Sequence, residues 1–300
     1  MKRLMVPWLL FFLAWGLPAQ AQLRAFACEP EWGALLQVLG GERVATFVAT
    51  GALQDPHAVQ ARPALIAQLR RADLLVCSGA GLEEAWLPLL LRRANNPAVQ
   101  PGRPGYLEAA QYVTLLERPE RLDRALGDLH AAGNPHFHTN PHNILRVAQA
   151  LAERLAQLDA EHGADYHRRL ADFSDAWQRA IADWEQRAAA LKGMRVVTQH
   201  KGWADLIKWL GLREVAVLEP KPGIPPSAGH LVAVLERLQD EPARAVLSAA
   251  YQNPRSARWL AAKADIPLVV LPYTVGADPA SEDLFALFDE TLRRLLEVAP

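Results

Sequence analysis

The stretch from Asp165 to Leu191 has few helix breakers and sets Tyr166, Leu170, Phe173, Trp177, Ile181 and Trp184 at three- or four-residue steps. That spacing lays one apolar stripe along a helix. The helix would run about 26 residues, roughly 39 Å at 1.5 Å per residue. A helix of this length, set between two halves of a different character, reads as a rigid connector.

On both sides of it short apolar runs alternate with helical patterns. In the first half the runs are Leu23 to Ala27, Val44 to Val48 and Asp73 to Cys77, separated by helical patterns at Trp32–Leu39 and Arg62–Arg71 and followed by one at Glu83–Arg93. Residues 95–142 are rich in Pro, Gly and Asn and read as loops around a late strand near Tyr112–Leu116, before a strong helix over Asn143–Leu158. The second half repeats the logic, with strands at Met194–Thr198, Glu214–Leu218, Ala243–Ala249 and Pro267–Leu271 and helices between and after them. Strands alternating with helices of this length predict parallel βαβ units. The expected fold class is α/β: two lobes, each a parallel sheet flanked by helices, joined by one long connecting helix. The expected division is a leader over 1–21, an N-terminal lobe over 22–164, the connector over 165–191 and a C-terminal lobe over 192–300.

The leader is read from Lys2 and Arg3, the apolar run Leu4 to Leu17 and the small-x-small pattern Ala19-Gln20-Ala21, which together describe a secretory signal peptide. The mature protein is therefore expected outside the cytoplasm, in the periplasm. A formal net charge of −1 argues against a nucleic-acid surface or a polybasic membrane patch. Cys28 and Cys77 each follow an apolar run; as neighbouring parallel strands, those runs would set the two residues at matching ends, either as a disulfide or as two buried thiols.

The residues that carry chemistry are three histidines in three separate turns: His57 in Asp55-Pro56-His57, His136 in Asn134-Pro135-His136, and His200 in Thr198-Gln199-His200. Imidazole is the commonest protein ligand for zinc, and a stable site needs three or four such donors at one point. Open α/β sheets bind ligands beyond the carboxyl ends of their strands. His200 directly follows a strand, and the other two lie in loops after strands. A cleft between the lobes would bring them together.

Taken with these turns, Ala72-Asp73-Leu74-Leu75-Val76, Gly81-Leu82-Glu83-Glu84-Ala85-Trp86-Leu87, Asn140-Pro141 and the tail from Leu271 to Leu295 fall in a recognisable order. The chain resembles the zinc- and manganese-type periplasmic solute-binding proteins of ABC transporters (cluster A-I), over essentially its whole length beyond the leader. The resemblance implies a monomeric carrier with one Zn²⁺ in the interlobe cleft, delivered to a membrane permease. It places ligands at His57, His136 and His200. It also implies an acidic fourth ligand in the last strand-to-helix loop, where this chain has Val275 at the expected spot and Asp278 close by. Asp278 is the favoured fourth ligand, with Glu29 and water as alternatives. Members that resemble manganese carriers have an acidic residue where His200 stands, so three nitrogens favour zinc over Mn²⁺. The long His-rich loop of many zinc members is absent; only His130, His136, His138 and His142 cluster here, with His130 an alternative ligand, His142 read as solvent-facing, and His138 either solvent-facing or, standing where the family often has an aromatic residue, pointing into the cleft. The need for deprotonated imidazole predicts weaker binding below about pH 6.

A three-histidine zinc with an open position also builds hydrolases. The chain carries no His-Glu-x-x-His helix and no Gly-x-Ser-x-Gly motif. A secreted zinc hydrolase is thus the weaker alternative, and no enzyme activity is expected.

Overall fold

A computed structural model of the protein describes residues 22–119, 130–221 and 223–300. The predicted leader lies outside the described residues. Among those described, no helix is long and apolar enough to cross a membrane.

The first sheet is built from β1 (Leu23–Ala27), β2 (Val44–Val48), β3 (Leu74–Cys77) and β4 (Tyr106–Glu108), in the order β2-β1-β3-β4. The second is built from β5 (Arg195–Thr198), β6 (Arg213–Val217), β7 (Ala245–Ala249) and β8 (Leu268–Leu271), in the matching order β6-β5-β7-β8. All pairings are parallel. Parallel sheets are covered by helices on both faces, which is why β3 and β7 are buried at every position and read as continuous apolar runs. The helices of the first half are α1 (Pro30–Gly40), α2 (Pro63–Arg71), α3 (Leu87–Ala94) and α4 (Pro141–Leu158), each with proline in its first turn. Proline is preset for that position and lacks the amide hydrogen that would be orphaned there. After α5 (Gly163–Arg187) come α6 (Ala204–Leu210), α7 (Ala228–Asp240), α8 (Arg255–Ala264) and α9 (Leu284–Leu296). Ser227 accepts the amide of His230 at 3.2 Å and so caps α7, as the sequence indicates.

The predicted connector is α5, 25 residues long, tightened at its end into a 3₁₀ turn over Ala188–Leu191. Its apolar stripe is a wall as well as a link. Phe173, Trp177, Ile181 and Trp184 join one core that also contains Trp32 and Leu35 of α1, Val147 and Leu151 of α4, and Phe288 and Leu292 of α9. Trp177 stacks on Phe173 and meets Phe285 edge-on, with ring centroids 5.1 and 4.8 Å away. Its indole donates to the Pro141 carbonyl at 2.9 Å, and the Trp184 indole donates to Asp289 at 3.0 Å. The two lobes therefore share a core, while each keeps an outer one on the far side of its sheet.

Two local expectations are decided here. The late strand of the first sheet is Tyr106–Glu108, pairing with β3 from Leu75 to Cys77, and not the run Tyr112–Leu116. With three residues and only Leu107 fully buried, this edge strand has no pattern to read. Gly105 precedes it because a Cβ there would sit 2.5 Å from the carbonyl oxygens of Ala98 and Asp73. Cys28 and Cys77, at the matching ends of β1 and β3, form a disulfide.

Candidate metal centre

Each of the three histidines arrives on a different loop. His57 lies between β2 and α2, where Asp55 accepts its amide at 3.0 Å in a tight turn. The indole of Trp86 donates to the Pro56 carbonyl at 3.0 Å and pins that turn to the first lobe. His136 follows Asn134, whose side chain accepts the His136 amide at 3.0 Å and donates to the Lys201 carbonyl at 2.7 Å. This asparagine both shapes the turn and ties it to the opposite lobe. His200 sits just past the carboxyl end of β5.

The three rings converge. Centroid separations are 5.0 Å for His57–His136, 5.8 Å for His57–His200 and 5.6 Å for His136–His200. One donor nitrogen from each lies within 4.8 Å of the others. Zinc–nitrogen bonds of about 2.0–2.1 Å set tetrahedral donors about 3.4 Å apart, so a contraction of at most about 1.4 Å completes the site.

The chemistry of the donors fits a cation. The Nδ1 of His57 lies 2.8 Å from Asp55, and the Nδ1 of His200 lies 2.7 Å from Glu219. A carboxylate there holds the proton on Nδ1 and turns the Nε2 lone pair toward the centre, the usual support for a metal-binding imidazole. His57 Nε2 and both nitrogens of His136 are buried without a hydrogen-bond partner. Buried polar atoms are rarely left so, because each forfeits a hydrogen bond to water. Burial, reinforced by the neighbouring imidazoles of His57 and His200, pushes the His136 pKa well below its usual value, which keeps it a neutral donor. Burial raises the Asp55 pKa, but the hydrogen bonds from His57 outweigh it and leave the carboxyl lower than usual.

The rest of the wall comes from both lobes. Tyr273 sets its ring 5.6 Å from His136 and 5.0 Å from His138. Of the two readings of His138 the buried one holds: Nε2 lies 3.0 Å from the Tyr273 carbonyl and Nδ1 lies 3.5 Å from Glu31. Glu31 in turn accepts the Thr274 hydroxyl at 2.5 Å, a hydrogen bond between the lobes. His142 is exposed and meets Glu185 at 2.8 Å.

The expected fourth ligand is not in this cluster. Arg294 holds Asp278 Oδ2 at 2.5 Å, and the amide of Ala280 donates to Oδ1 at 2.8 Å, so the loop folds its carboxylate back onto α9. Glu29 is outside the cluster too: its Oε2 accepts from the amide and hydroxyl of Ser78 at 3.1 Å each. The nearest further imidazole is His130, stacked on His57 with centroids 5.5 Å apart; burial pushes its pKa down to about 4. Its donor atoms fall outside the three-histidine set. Sequence reading left Asp55, Glu219 and Trp86 without a part in holding these histidines. Asp55 was open to detection, since Asp-x-His can close on itself; Glu219 is brought to His200 only by the parallel pairing of β5 with β6.

Residues 26–298 match the family model of ZnuA, the periplasmic zinc-uptake complex component A. The chain belongs to this family. It is 26% identical over 276 residues to the high-affinity zinc uptake system protein ZnuA of Paracoccus denitrificans, covering 80% of each chain. A crystal structure of a ZnuA superposes with a TM-score of 0.78 at 23% identity, over 93% of this chain and 100% of that one. A manganese-bound periplasmic metal-binding protein from Candidatus Liberibacter asiaticus gives 0.76 at 15% identity, over 93% and 100%. At such identities these structures speak for the fold, and the choice of metal rests on the donor set.

Proposed function

We propose that this ZnuA-family protein is a periplasmic carrier that binds one Zn²⁺ between His57, His136 and His200 and delivers it, as a monomer, to the membrane permease of an ABC importer. The observation that carries the reading is the convergence of three imidazoles from loops of both lobes, with His57 Nε2 and both nitrogens of His136 buried and unpartnered. Three neutral nitrogens favour zinc over manganese, which prefers carboxylate and water. The fourth position is left to an exogenous donor, water in the simplest case, because Asp278 is occupied by Arg294.

The mechanism is capture and release. Asp55 and Glu219 hold two of the imidazoles in the donor tautomer, so binding requires no proton rearrangement at those rings. Small shifts of the three loops close the donors around the ion, and the permease frees it by drawing those loops apart. No hydrolytic role is proposed. The test is competition against a zinc-selective chelator: His200→Ala should weaken binding at least 100-fold, and an unchanged affinity would sink the interlobe site. Chelator should also strip the metal while the circular dichroism of the fold persists, which a purely structural zinc would not allow.

A further inference from the structure

Two of the three histidines, His57 and His200, line a cavity far larger than an ion requires. It measures about 770 Å³. A water fills about 30 Å³, whereas sites for small organic ligands span about 300–1,000 Å³. The walls are of two kinds. Pro225, Pro226, Leu231 and Trp259 give an apolar lining on the C-terminal lobe. Arg255 and Ser256, the first residues of the ten-residue helix α8, give a positive end. Among the described residues no carboxylate pairs with the Arg255 guanidinium. The first residue of α7, Ala228, also lines the cavity, so two helix N-termini present their partial positive charge to it.

The acids on this wall are Asp55 and Glu219, and both are engaged by imidazoles. A bound Zn²⁺ would balance their two negative charges. The unpaired Arg255 and the helix ends then favour one further anion beside the metal. Three protein donors leave a coordination position for it.

We propose, building on the zinc-carrier reading, that the protein takes its metal as a ternary complex with a small carboxylate chelator. One carboxylate of the chelator would supply the fourth donor, its carbon skeleton would lie against Leu231 and Trp259, and Arg255 would pair with a second negative group. No bond beyond coordination forms or breaks, and the displaced species is the water of the open position.

Cobalt substitution tests this, because the visible bands of Co²⁺ report its donor set. The whole mature chain is loaded with Co²⁺ and titrated with citrate or, separately, with L-histidine. At least one of them should shift the cobalt bands at sub-millimolar concentration while the metal stays on the protein through desalting. Arg255→Ala should give the same chelator-free spectrum as the parent and need at least ten-fold more chelator for the shift. Bands unmoved by both probes, cobalt lost to the solution chelate, or an equal response in R255A would each overturn the proposal. A chelator-free spectrum without imidazole donors would bring down the metal site itself, so the two failures are told apart.

Discussion

At the scale of single residues, the proposed zinc site rests on groups outside its donor set. Asp55 and Glu219 each fix one imidazole by a hydrogen bond to Nδ1. Removing such a partner typically costs 10–100-fold in metal affinity, because the ring can rotate or take the wrong tautomer. Asp55→Ala and Glu219→Gln are therefore expected to weaken zinc binding by about that factor with the fold intact. Asp278→Ala should behave in the opposite sense, leaving affinity within about two-fold while lowering stability through loss of the Arg294 pair. If D278A lost zinc as severely as H200A, the loop would have to reorganise on loading to bring that carboxylate in. His130, stacked on His57 but outside the donor set, is expected to matter less: His130→Ala should cost under ten-fold where His136→Ala costs at least 100-fold, both read by the same chelator competition.

At the scale of elements, the junction of β1 and β3 carries a tension that titration can expose. Glu29 and Glu83 lie fully buried beside the Cys28–Cys77 disulfide. Burial, with the charges of Glu83 and Glu31, pushes the Glu29 pKa well above the ordinary carboxyl range; burial pushes Glu83 up to about 7. A folded state that keeps a proton the unfolded chain would release is most favoured where both are protonated, below about pH 4.5. Its advantage is then lost as pH rises toward 7. This pair should make the protein less stable at pH 7 than at pH 5. Glu83→Gln should flatten that slope in urea melts; a parallel slope in the variant would remove Glu83 as its cause. The disulfide works the other way. It closes a loop of 49 residues, for which chain entropy gives about 4 kcal/mol. Reduction should lower the urea midpoint accordingly and leave zinc binding in place.

Legibility followed the same physics. Buried parallel strands and an amphipathic helix imprint a period on the sequence, so the two α/β lobes and the long helix were readable from Leu23–Ala27, Ala243–Ala249 or the Trp177 stripe. The three histidines were readable because each ends a strand-like run or a tight turn. The edge strand Tyr106–Glu108 was not, since three half-covered residues carry no period. Nor was the fate of Asp278, which depends on where α9 places Arg294; for His138 the sequence left two placements open, and Tyr273 arriving from the other lobe decides between them. Contacts between lobes leave no local mark.

At the scale of the whole molecule, the shared core limits how the carrier can move. Trp177 is completely buried where α4, α5 and α9 meet, and truncating a core tryptophan costs about 3–5 kcal/mol. Opening the lobes as rigid bodies about a hinge would expose this layer, together with the buried link from Glu31 to Thr274. Such exposure would require a large part of the marginal stability of a folded chain. Zinc capture needs much less, a contraction of at most about 1.4 Å among donors that already face one another. The consequence is that metal should act on loops and spare the frame. Hydrogen exchange with and without Zn²⁺ should show added protection in the turns carrying His57, His136 and His200, with α5 amides unchanged, and the radius of gyration from X-ray scattering should move by less than about 1 Å. Zinc-dependent protection running through α5, or a scattering change large enough for lobe closure, would mean that the common core parts during transport and that the helix is a hinge after all.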